Sequence, residues 1–79
     1  MNDEKFKGYL IDLIVLFKEQ ARQAKLDADH PKEGAESYSN GYLMALHMVI
    51  SLMKNQAFAF DINEKEIGLS DINPEQDLL

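Results

Sequence analysis

A chain of 79 residues holds one domain at most, and a domain this small usually needs disulfides, a metal or a second copy of itself for support. It has no cysteine, so disulfides and thiolate metal sites are excluded and self-association is the support left open. Its net charge of −6 opposes nucleic acid, which is held by lysine and arginine neutralising phosphates, and it opposes acidic membrane surfaces for the same reason.

The charge is uneven. Residues 1–60 carry eight acids against seven bases, whereas residues 61–79 carry six acids against Lys65 alone. The opening MNDEKFKG mixes both signs and lacks the basic-then-apolar pattern of a secretory leader. Together with the absence of cysteine, this makes the cytoplasm the expected compartment.

Asn2 or Asp3 can cap a first helix, with Asp3 and Glu4 at its positive end. The helical pattern runs from about residue 4 to 29. Phe6, Leu10, Leu13, Phe17, Ala21, Ala24 and Ala28 recur in steps of three and four, with Asp12, Glu19 and Gln23 behind them. A second stripe, Gly8, Ile11, Val15 and Leu26, falls on roughly the other side. Several exposed aliphatic residues in line need a cover, either the C-terminal tail or a second interface.

Pro31 disfavours helical geometry in His30 and ends the first helix there. Pro31 could open the next helix, or HPKEGAES is a loop; the second helix is expected over about 37–60. The connection is short, so the helices are antiparallel neighbours. On the second helix Tyr38, Tyr42, Ala45, Val49, Leu52, Gln56 and Phe60 form one stripe, widened by Leu46, Met53, Leu43 and Ile50. Met44, His47, Ser51, Lys54, Asn55 and Phe58 are left opposite. A helix apolar over so wide an arc is covered on more than one side. The polar residues that interrupt it argue against a membrane span. Gly41 marks either a close crossing of two backbones, with Ala45, or a frayed first turn.

The tail, 61–79, repeats itself at a spacing of ten: DINEKEIGL and DINPEQDLL. Asn63 with Glu66 fits a capping box, and Asn73 with Pro74 and Gln76 repeats the logic. Gly68 can close the first turn in a left-handed conformation. Two one-turn helices are therefore expected, docked through Ile62, Ile67, Leu69, Ile72, Leu78 and Leu79 across the ends of the long helices.

Chemistry is thin. His47 lies one helical turn from Ser51 but has no orienting acid in the sequence pattern, and reads as a half-exposed histidine on the polar strip. Asp29 and His30, with Asp27 and Glu33, lack metal-ligand spacing and read as a solvated helix end. Asp61 begins a superficial calcium-loop pattern that fails at its sixth and twelfth positions, Glu66 and Ile72. Met44, Met48 and Met53 at helical spacing read as core. No catalytic, metal or cofactor-binding residue is assigned, and no cofactor is expected.

The expected fold is all-α: an antiparallel two-helix hairpin with C-terminal one-turn helices, two copies of which form a four-helix bundle with the second helices central. The candidate interface is Ile11, Val15, Tyr42, Leu46, Val49, Ile50, Met53 and Phe60. The expected partner is a second copy, possibly also another protein, and neither nucleic acid nor membrane. Three functions are open: a small acidic interaction or regulatory protein, a bundle binding a small or hydrophobic ligand, and, least favoured, an enzyme.

Overall fold

The computed structural model describes residues 3–79 and is helical throughout, with no strand among those residues. Helix α1 spans Asp3–Asp29 and α2 spans Glu36–Ala59. The short helices α3, Glu64–Ile67, and α4, Pro74–Asp77, lie in the tail. The expected cap at Asn2 lies outside the described residues; Asp3 is already helical.

The link from α1 to α2 is a short loop at 30–35, with Gly34 in the left-handed region at φ 81°. Pro31 lies in this loop and does not open α2. The two long helices run antiparallel. Tyr42 meets Gln20 near the loop, and Ala57 lies with Ile14 toward the free end.

The buried row on α2 is not the stripe expected from the wheel. Ser39, Leu43, Leu46, Ile50 and Ala57 are buried, whereas Tyr38, Tyr42, Leu52 and Phe60 are exposed. On α1 the buried positions are Ile14, Lys18, Ala21 and Ala24, whereas Phe6 at the start of the expected face is exposed. The reason is the tail. It does not cross the helix ends; it lies along one face of the hairpin and draws both helices' buried arcs toward itself. Ile67, Leu69, Ile72 and Leu78 complete the core with Ile14 and Ile50.

The tail is held by local caps and by cations. Asn63 Oδ1 accepts from the Lys65 N–H at 3.0 Å, and Gly68 leaves α3 at φ 80°, ψ 25°. Asn73 Oδ1 accepts from the N–H groups of Glu75 and Gln76. The reciprocal bond to the Asn73 N–H comes from Asp77 Oδ2 at 2.8 Å, not from Gln76. Between tail and hairpin, Lys18 reaches Asp71, Lys25 donates to the Leu79 carbonyl, and Lys54 donates to the carbonyls of Leu69 and Ile72. The long stems of Lys18 and Lys54 run between the layers and bring their ammonium groups to acceptors of the tail.

The polar strip of α2 is thus a solvent face only in part, with Met44, Asn55 and Phe58 exposed. His47 and Lys54 lie under the tail. The stripe Gly8, Ile11, Val15, Leu26 is covered only in part: Ile11 is half-buried, but Val15 and Leu26 stay exposed. Gly41 makes no close crossing, because a Cβ added there would meet nothing within 4 Å.

Candidate interaction surface

The tail covers one broad face of the hairpin and leaves the opposite face bare. On that face α1 presents Phe6, Tyr9, Leu13, Leu16 and Gln20, with Phe17 at its edge. Helix α2 presents Tyr38, Tyr42, Ala45, Val49, Leu52, Gln56 and Phe60. None of these side chains is charged; Asp27, seven residues beyond Gln20 on α1, brings one exposed carboxylate to the loop end of the face. The face includes all three tyrosines and three of the four phenylalanines of the chain. Exposure is large at the two ends of α2: 75% for Tyr38 and 71% for Phe60.

Two contacts fix the geometry of this face at the loop end. The Tyr42 hydroxyl donates to Gln20 Oε1 at 3.2 Å, bridging α2 to α1. The rings of Tyr38 and Tyr42 stack with centroids 6.2 Å apart and planes 5° apart. One helical turn separates them, so the pair forms a single aromatic projection.

At the free end of the hairpin the same face opens into an apolar cleft of about 280 Å³. Its floor is Ile14, Ala57, Ile67 and Leu69, all buried, with Met53 beside them, and its rim is Leu10, Leu52, Gln56 and Phe60, closed at the free end by Ile62 of the tail. Gln56 supplies the only side-chain polar group in this lining.

The residues singled out from sequence divide into three groups. Tyr42, Val49 and Phe60 lie on the bare face, with Met53 partly buried at its seam. Leu46 and Ile50 are spent on the chain's own core, Ile50 with no exposed surface. Ile11 is half-buried beside the tail, and Val15 faces solvent on the outer flank of α1. The face also holds Phe6, expected on the buried side of α1, together with Tyr9 and Leu16. Their recurrence at helical spacing with Leu13 was visible; which arc the tail would take was not.

The tail side carries the electrostatics. His47 Nε2 lies 3.0 Å from Glu75 Oε1, so the acid that the sequence pattern lacked comes from α4. The Glu75 carboxylate is largely exposed, and the pair acts as a tether between layers. Asp71 is held below the ordinary carboxylate range, chiefly because Lys18 donates a hydrogen bond to it, with the charges of Lys18 and Arg22 adding to the effect. Among the described residues no three His, Asp or Glu side chains converge as metal ligands. No helix there is long and apolar enough to cross a membrane.

No known protein family, curated protein or solved structure matches the chain.

Proposed function

We propose that the protein works as a homodimer in which two bare faces pack together into a four-helix bundle, and that this dimer is a small acidic interaction or regulatory protein of the cytoplasm. The observation that carries the dimer is the aromatic face opposite the tail, free of charge except for Asp27 at its loop end. Interface cores are depleted in charge and enriched in tyrosine and phenylalanine, and an apolar patch of this extent on a small protein marks an interaction site.

The size is adequate. The molecule measures 49 × 21 × 16 Å, so its broad face is roughly 1,000 Å² in plan, against about 800 Å² per partner for a standard stable interface. A second copy suits it because twofold dimers are the commonest soluble oligomers. The dimer also gives a 79-residue chain the apolar burial that it lacks alone.

With that face used, contact with other proteins falls to the acidic tail and the flanks. Residues 61–79 carry a net charge of −5, an electrostatic complement to a basic surface. Sedimentation equilibrium across a wide concentration range tests the dimer: twice the 9.0 kDa chain mass is expected, and 9.0 kDa throughout would overturn it. Val49→Asp, a charge placed on the half-exposed centre of the face, is expected to return the dimer to monomers that remain helical.

A further inference from the structure

The bare face is not uniform along its length, and its two ends differ in a way that orients the dimer. At the loop end stands the stacked projection of Tyr38 and Tyr42. At the free end is the cleft rimmed by Leu10, Leu52, Gln56 and Phe60. Along α2 the projection and the cleft are centred about 24 Å apart at 1.5 Å per residue. Val49 lies close to the midpoint.

Two copies packed face to face under a twofold, with their helices aligned as in a four-helix bundle, have two relations. With the axis along the hairpin, free end meets free end and each α2 lies over the partner's α1; the clefts then share one end, and each projection lies over the loop end of the partner's α1. With the axis across the hairpin, each copy's loop end meets the other's free end. In that case every projection faces a cleft, twice over by symmetry. An isologous interface must be self-complementary in this sense.

The volumes agree with the second relation. An apolar cavity of about 150 Å³ accommodates a benzene ring, so a cleft of about 280 Å³ can take a phenol ring with room for its neighbour's edge. The lining suits the occupant: an apolar floor for the ring and the Gln56 amide on the rim for a hydroxyl. Such filled aromatic pockets are where interface energy concentrates.

Resting on the dimer proposed above, we infer that the two chains pack head to tail, with Tyr38 and Tyr42 of each seated in the apolar cleft at the free end of the other. The twofold axis then crosses α2 near Val49, where Ala45 and Val49 are small enough for the two α2 helices to approach.

The chain has no cysteine, so single-cysteine variants take one label each. Lys32→Cys labels the loop end and Phe58→Cys the free end; both side chains are exposed and off the bare face. In mixed dimers, energy transfer from a donor at Lys32→Cys to an acceptor at Phe58→Cys is expected to be high. Transfer between two Lys32→Cys chains is expected to be low, because the loops then lie at opposite ends of a 49 Å molecule. The reverse pattern would overturn the head-to-tail arrangement while leaving the dimer standing.

Tyr38→Ala supplies the energetic test. Tyr38 takes no part in the core, so the variant folds, and its dimer dissociation constant is expected to rise about 30-fold or more, as for truncation of a buried interface aromatic. An unchanged constant would also overturn the arrangement. So would a dimer that still binds one equivalent of anilinonaphthalene sulfonate per chain, because its clefts would then be open. A monomer at every concentration would end the dimer and the arrangement together.

Discussion

Lys18 Nζ lies 2.8 Å from Asp71 Oδ1, and only the lysine end of the pair is buried: its side chain is 10% exposed against 58% for the aspartate. The two partners therefore differ in what their loss does. Asp71→Ala leaves an ammonium group under the tail without its carboxylate, and is expected to cost about 1–3 kcal/mol. Lys18→Met keeps the buried stem, removes the charge that had to be desolvated, and leaves a carboxylate already in water. It is expected to be neutral or stabilising. Chemical denaturation of the two variants checks the ordering; equal losses would mean that the pair is worth the same from either side.

The same pair sets a weak acid dependence. The Asp71 carboxyl titrates below its ordinary value in the folded chain, through the Lys18 hydrogen bond first. A group lowered in this way contributes its stability above the unfolded value, about 3.9, and loses it as the pH falls through the folded value. Because Asp71 is largely exposed, solvent screening holds the contribution below about 1 kcal/mol. The stability gap between the native chain and Asp71→Asn should be constant near neutral pH and should shrink as the pH falls below the unfolded value of about 3.9. A gap that widened in acid would reverse the sign.

Lys54 holds the tail by three acceptors. Its Nζ donates to the Leu69 carbonyl at 3.1 Å and to the Ile72 carbonyl, and it meets Glu64 Oε1 at 3.0 Å. These carbonyls lie in the segment between α3 and α4, where the backbone has no helical partners to use. Lys54→Met leaves them short of a donor, with an expected loss of about 1–3 kcal/mol. The loss should be local first: amide exchange should quicken across residues 69–79 before it does in α1 and α2. Uniform quickening would show that tail and hairpin open together.

The sequence pattern carried the local structure and missed the division of faces. Asn63, Gly68, Asn73 and Pro74 act within one turn of themselves, so their caps and stops were legible without knowledge of the fold. The two long helices and their antiparallel packing followed from periodicity and a short link. The wheel on α2 failed for a physical reason: Leu43, Leu46 and Ile50 on one arc and Tyr42, Val49 and Phe60 on another are equally apolar. Only the docked tail selects the first arc as core. That the tail docks was legible from its isoleucines and leucines; its path was hidden because it runs over Lys54 and His47, which the pattern placed on the polar strip. Half of the bare face was masked on α1 in the same way, where Phe6 and Tyr9 resemble core residues in every respect except neighbours.

Leu78 and Leu79 are adjacent and chemically identical, yet Leu78 has no exposed surface while Leu79 is 59% exposed. Leu78→Ala is expected to cost about 2–5 kcal/mol, the range for a buried leucine whose surroundings cannot collapse fully. Leu79→Ala should change stability by no more than about 0.5 kcal/mol. Thermal melts of the two variants settle the comparison. Similar melting temperatures would mean that the chain's end is not packed into the core.

Two glycines should respond in opposite directions to the same substitution. Gly68 holds φ 80° at the end of α3, where an alanine Cβ is strained whatever the space around it. Gly68→Ala is expected to destabilise by about 1–2 kcal/mol and to loosen the turn that leads Leu69 into the core. Gly41 lies inside α2 in ordinary helical geometry, with nothing within 4 Å of an added Cβ. Gly41→Ala removes backbone freedom from the unfolded chain and is expected to stabilise by about 0.5–1 kcal/mol. Urea titrations of both variants, read at the midpoint with unchanged slope, give the two signs. A loss at Gly41 in the monomeric Val49→Asp background would mean that its helix is not formed as described. A loss at Gly41 in the dimer alone would place that position against the second copy.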